Sequence, residues 1–186
     1  LDVLLVLGLW ERVELGVDLP VHYAGGSGIE EDGVAFGDIR LLTKFRLVGL
    51  EKDSGAGVAI AVPVSFPSGD ADKYVGGGQV IANPKLILEA RGAGVQFAAN
   101  GGVRIRPEEQ QVEGNLELGT EVTYGAMLGV HLGSEDVVAI GEAFGAAAIT
   151  DIRADSRSNP LEALVGLRTL TLPGAVITVG GGVGII

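Results

Sequence analysis

The sequence predicts an all-β fold: an up-and-down antiparallel transmembrane β-barrel, with ten strands in this chain and twelve in the complete protein. Three observations predict it. Charges within a strand keep to one face, the strands are long, and the connections alternate between short and long. Successive side chains of a strand point to opposite faces. Six segments carry two or more charges, and in each the charges share one parity. Chance gives that roughly once in 256 trials if every charge after the first chooses freely between two faces. The opposite parity is apolar, as in Val13, Leu15, Val17, Leu19 and Val21. A wall with one apolar and one charged side fits a barrel with lipid outside and a polar interior.

Taken in order, strands are expected near 2–10, 12–23, 36–50, 56–66, 79–90, 94–106, 115–132, 136–149, 160–172 and 175–186. The second carries Glu14 and Asp18 on one parity, and the third Asp38, Arg40, Lys44 and Arg46. The fifth carries Lys85 and Glu89, the sixth Arg104 and Arg106 with the amides of Gln96 and Asn100, the seventh Glu117 and Glu121, and the ninth Glu162 and Arg168. The eighth carries Glu142 at the parity of Val138, Ile140 and Phe144, so its orientation stays open. Pro63 and Pro84 fall inside strands, where proline removes a ladder donor and calls for a bulge or an edge position. Most of these segments run well beyond the ~5–6 residues usual in soluble proteins. They reach the ~9–11 that a tilted strand needs to cross a bilayer.

Short turns are expected at Glu11-Arg12, Glu51 to Gly55, Arg91 to Ala93, Ser134-Glu135 and Pro173-Gly174. Long loops are expected at Ala24 to Ala35, Pro67 to Gly78, Pro107 to Gly114 and Thr150 to Asn159. If the short turns are periplasmic, both chain ends lie on the outer side, whereas such barrels normally start and finish inside. Residues 1–186 are therefore expected to form one transmembrane barrel domain lacking a strand at each end. Tyr23, Phe36 and Phe66 should mark the outer interface and Phe97 the inner one.

Composition narrows the function classes. Of 186 residues, 47% are hydrophobic, 31 are glycine and none is cysteine, which excludes disulfides and thiolate metal sites. The net charge of −11 comes mainly from acidic loops, and no basic stripe offers a nucleic-acid surface. Residues 169–186 are uncharged, but Pro173-Gly174 and the glycines at 180, 181, 182 and 184 favour two strands over a membrane helix.

Two motifs carry a family resemblance: Gly37-Asp38-Ile39-Arg40 opening the third strand, and Val62-Pro63-Val64-Ser65-Phe66-Pro67-Ser68-Gly69-Asp70 closing the fourth. With Leu15-Gly16-Val17-Asp18-Leu19-Pro20-Val21, they resemble the barrel domains of OmpA-family and related Gram-negative outer-membrane proteins. The resemblance implies a bacterial outer-membrane location and contact with membrane lipid and lipopolysaccharide. In such proteins a signal peptide precedes the barrel and a peptidoglycan-binding domain often follows, so peptidoglycan and other envelope proteins are expected partners.

The main chemical constellation is an ion-paired interior. Asp18, Asp38, Arg40, Lys44 and Arg46 are expected to line the lumen from the first half of the chain. Lys85, Glu89, Arg104, Arg106, Glu117 and Glu121 are expected to line it from the second. That wall suits a passive small-solute channel, selecting by size and charge, or a filled interior in an envelope-anchoring module. Carboxylates at Glu30, Glu31, Asp32, Asp70, Asp72, Glu108 and Glu109 could hold a divalent cation between loops, though simple loop solvation accounts for them and their spacing matches no EF-hand. His22 and His131 should lie on opposite sides of the membrane, which separates them as metal ligands or catalytic partners. The glycine run at 180–184 sits inside a strand, so it lacks the context of a dinucleotide loop. No catalytic, metal or cofactor-binding residues are assigned. The alternatives are an outer-membrane rim enzyme, a protease or lipid-modifying hydrolase using His22, and a soluble lipid-binding barrel with its apolar face inward.

Overall fold

A computed structural model describes residues 1–25, 32–49, 55–70, 75–112, 116–133, 136–149, 159–172 and 175–185. The expected turns Ser134-Glu135 and Pro173-Gly174, and the loop carboxylates Glu30, Glu31 and Asp72, lie outside the described residues.

Among the described residues fourteen strands form: β1 (Asp2–Leu9), β2 (Val13–Ala24), β3 (Gly33–Phe36), β4 (Arg40–Val48), β5 (Gly55–Ser65), β6 (Ile81–Ala82), β7 (Lys85–Gly92), β8 (Val95–Arg104), β9 (Gln110–Val112), β10 (Leu116–Leu118), β11 (Glu121–His131), β12 (Val137–Ala148), β13 (Leu161–Leu172) and β14 (Ala175–Gly184). Twelve of them make one antiparallel meander in the order β1-β2-β4-β5-β7-β8-β11-β12-β13-β14, with short β3 on β2 and β6 on β5. The ten long strands correspond to the ten expected. The sheet is not closed by hydrogen bonds: β1 and β14 are its two edges. Among the described residues, no helix is long and apolar enough to cross a membrane.

Three expected strands are broken, each for a local reason. The span 36–50 splits at Gly37 to Ile39, because Asp38 turns aside to hold a loop. Its Oδ1 accepts from the Gly69 N–H at 2.9 Å and its Oδ2 from the Gly77 N–H at 2.7 Å. The span 79–90 splits at Asn83-Pro84, where proline supplies no donor. The Asn83 N–H and the Pro84 carbonyl still bond to Pro63 and Val103 across the break. The span 115–132 splits before Glu121, and Leu116–Leu118 leaves the main sheet to pair with Gln110–Val112.

The tight turns are left-handed where the hairpins require it. Trp10 and Glu11 have φ of 47° and 45°, and Ala93 and Gly94 have 50° and 76°. Positive φ at two successive turn positions matches the right-handed twist of the flanking strands.

Burial has an inverted pattern. The buried apolar residues are few and of small or medium size (Ala24, Ala35, Ala59, Val138, Ile140 and Ala146), and no large side chain is fully buried among the described residues. Asp18 and Glu121 are each only 6% exposed, while Leu15, Val17, Leu41, Leu86, Leu128 and Val165 are exposed. No other described element packs across either face, since contacts run between neighbouring strands. The charged face is the less exposed of the two.

Candidate functional site

Register carries the charged face from strand to strand. Directly opposed residues of an antiparallel pair share a face. One row runs Glu14↔Lys44↔Ala61↔Lys85↔Gly102↔Thr123↔Ala146 through seven strands. Asp18↔Arg40↔Ser65 and Arg104↔Glu121↔Ala148 lie above it, and Gly57↔Glu89↔Ala98↔Met127↔Glu142↔Leu164 below. Asp18, Arg40, Lys44, Lys85, Glu89, Arg104 and Glu121 thus share the sheltered face, as their parity requires.

Most of these charges meet a partner. Arg40 pairs with Asp18. Lys44 Nζ lies 3.9 Å from Glu14 Oε2. Arg104 and Arg106 converge on one oxygen, Glu121 Oε2, at 2.8 and 2.7 Å, and Arg106 also donates to the Gly119 carbonyl at 2.7 Å. Two cations on one buried carboxylate make a fixed ionic knot, because charge-assisted bonds are short and roughly twice as strong as neutral ones. Arg106 takes part from just beyond the end of β8. Arg46 is exposed and lines a cavity of about 240 Å³ near the β1–β2 turn, with Glu11, Arg12, Glu14 and Lys44. Among the described residues, Lys85 and Glu89 stand without an ion pair.

Two expected lumen residues sit elsewhere. Asp38 is a loop clamp rather than a wall residue. A Cβ on Gly69 would stand 2.9 Å from its Oδ1, so only glycine fits beneath it. The two motifs that carry the family resemblance are thereby held against each other: Ser68 Oγ accepts from the Ile39 N–H at 2.9 Å, and the Asp70 N–H donates to Phe36 O at 3.0 Å. Glu117 belongs to β10 in the separate hairpin, so its backbone is off the main sheet, and its side chain lies outside the described residues.

Several polar contacts escape sequence reasoning. Thr123 Oγ1 donates to Asn83 Oδ1 at 3.1 Å, bridging the break before β7 to β11. Gln79 and Glu108 exchange side-chain-to-backbone bonds of 2.7 and 2.9 Å between two loops. Glu142 resolves to the sheltered face, opposite Met127 and Leu164. Register settles what its apolar neighbours of the same parity, Val138, Ile140 and Phe144, left open.

The two histidines occupy opposite ends of the meander, His22 near the end of rising β2 and His131 at the end of descending β11. His131 Nε2 meets Gln96 Nε2 at 3.0 Å. Among the described residues, His22 makes no hydrogen bond to an acid or hydroxyl. Among the described residues, no group of three or more His, Asp or Glu could hold a metal ion.

Between β7 and β12 the sheltered face opens into a cavity of about 410 Å³, lined by Lys85, Asn100, Arg104, Thr123, Met127 and Glu142 among others. A second cavity, of about 250 Å³, lies between β12 and β14 against Ile140, Leu164, Gly166 and Gly180.

Tyr23, Phe36 and Phe66 are exposed at one end of the sheet, and Trp10, Phe45 and Phe97 toward the other. No known protein-family model matches this chain, and no curated protein is significantly similar to it.

Proposed function

We propose that this chain is the wall of a membrane-spanning β-barrel in a bacterial outer membrane, acting as a passive channel for small polar solutes. One observation carries the reading: the exposed face is apolar and the sheltered face is charged. In water that arrangement has the wrong sign, since a soluble domain hides its apolar face. In hydrocarbon it has the right sign. The same exposure pattern counts against a soluble lipid-binding barrel, which needs its apolar face inward.

Strand length and aromatic placement support the reading. Seven of the ten long strands have 10–12 residues, close to the ~9–11 that a tilted strand needs to span the apolar layer. An unpaired strand edge cannot persist in lipid, where each free N–H or C=O costs several kcal/mol. On this reading the edges of β1 and β14, unpaired in the sheet, would be satisfied by barrel closure. The half-exposed side chains of Lys44 (37%) and Arg104 (36%) support a wet lumen over a filled one.

The test is reconstitution. Without detergent the chain should aggregate. In detergent or lipid it should migrate differently on a gel before and after heating, and in planar bilayers it should conduct. Insertion without conductance would replace the channel by an envelope anchor, and a monodisperse, detergent-free monomer would overturn the membrane reading altogether.

A further inference from the structure

The two edge strands match each other in direction and in chemistry. The ten long strands alternate in direction along the meander, so β1 and β14 run antiparallel to each other. β1 is apolar on both faces. Val3, Leu5 and Leu7 lie on the outward face. Leu4 and Val6 lie on the sheltered face, opposite Asp18 and Gly16, and are 54% and 53% exposed. A near-continuous apolar run suits a strand covered on both sides. The other edge has a gap of that chemistry. The row Ile140↔Gly166↔Gly180 places two successive glycines beside a cavity of about 250 Å³ on the sheltered face.

Stagger decides how the edges meet. In a closed barrel, a hydrogen-bonded row followed once around the wall returns to its first strand displaced by a fixed number of residues. The row that leaves β1 at Leu9 crosses β8 at Gly101 and β12 at Gly145. It passes Leu161 of β13 and comes level with Ile185, just beyond the end of β14. Every residue of β1 gains a partner within β14 only when Leu9 lies opposite Ala175, Val176 or Ile177. Val176 would set outward residues against inward ones. Ala175 and Ile177 displace the row by ten and eight residues from Ile185. With ~3.3 Å per residue and ~4.8 Å between strands, ten strands then tilt by about 35° or about 29°. Barrel strands typically tilt by about 35–45°, which selects Ala175. Leu4 then falls opposite Gly180, in the row of Ile140, where its side chain can cover the glycine gap.

We propose that β1 pairs directly with β14 in this register, closing a ten-stranded barrel with Leu4 over the glycines of the seam. This rests on the barrel reading and deepens it. The lumen is ringed by ten strands rather than twelve, and it is narrower accordingly.

The chain has no cysteine, so introduced pairs can read the seam. Val3→Cys is combined in the full chain with Val179→Cys, Gly181→Cys or Val183→Cys. All four positions face outward, and a side chain at Gly181 has open space. Each variant is folded in detergent, checked for heat-modifiable migration, oxidised with diamide and run on a denaturing gel without reductant. A disulfide needs Cα atoms within about 7 Å. A slip of two residues along the strand puts them roughly 8 Å apart. The 3–181 pair should link within one chain at least tenfold more than either other pair. A stronger link at 179 or 183 would overturn the register. No link in any heat-modifiable variant would overturn direct closure while leaving a barrel with further strands between the edges. Linked dimers would overturn closure within one chain in favour of a second copy. A chain that stays monodisperse without detergent removes the barrel reading itself, and the proposal with it, before any link is read.

Discussion

The sheltered face is built in two ways. From β2 to β11 it is broad and ionic: Asp18 with Arg40, Glu14 with Lys44, and Glu121 with two arginines. From β12 to β14 it still carries Glu142, Glu162 and Arg168, but Val138, Ile140 and Leu164 lie there beside Gly166, Gly180 and Gly182. A Cβ on Gly166 would stand 2.8 Å from the Val179 carbonyl oxygen, and one on Gly180 would stand 2.7 Å from that of Val165. Long charged side chains need lateral room and water. Glycine lets backbones close up and lets a sheet bend sharply. Ion pairs mark the first region, and close backbone approach at glycine marks the second.

The largest contrast should come from two carboxylates. Glu121→Leu strands Arg104 and Arg106, and losing one partner of a buried pair costs about 3–5 kcal/mol. Glu142→Leu removes a charge that has no partner, so it should be neutral or stabilising. Urea unfolding in lipid vesicles would measure both, and equal losses would erase the distinction between the two regions. Next comes the outward face of the glycine region. Val165, 71% exposed at mid-strand in β13, should cost about 2–4 kcal/mol as Val165→Arg if it meets the bilayer midplane. A surface residue in water would tolerate the change.

Smaller effects sharpen the picture. Gly166→Val should cost about 1–3 kcal/mol through overpacking. Gly181→Ala, one strand away with open space around it, should leave the unfolding midpoint unchanged, so matching shifts would mean that backbone proximity is not what glycine provides here. On the ionic side, Glu14→Gln breaks a pair whose carboxylate is half-exposed, worth about 0–1 kcal/mol. Ala93→Gly should instead stabilise, by roughly 1 kcal/mol, because Ala93 holds φ of 50°. A lowered midpoint would show that the turn is not under that strain.

The ionic region was the legible one. Two-residue periodicity is local, so Glu14 with Asp18, or Lys44 with Arg40, declares a face without any knowledge of partners. What could not be read depends on distant segments. Asp38 has the right parity for the wall, yet amides more than thirty residues away claim it. The Arg104–Glu121–Arg106 knot needs the β8–β11 register, which the intervening hairpin sets. That hairpin itself was hidden, since Gln110 and Gln111 read as polar loop and Glu117 as part of the seventh strand. The glycine region gave the weakest signal, because Gly180, Gly181, Gly182 and Gly184 carry no side chains from which to infer a direction.

In the meander every long strand bonds only to its neighbours in chain order. Each hairpin can zip from its own turn with a small loop-closure cost, which favours quick, stepwise growth of the wall. Joining the two rims is different in kind, since a β1–β14 seam would bring together segments from opposite ends of the chain. That seam should be the slow, late event of assembly and the first place where a detergent or a strand-mimicking peptide could intervene.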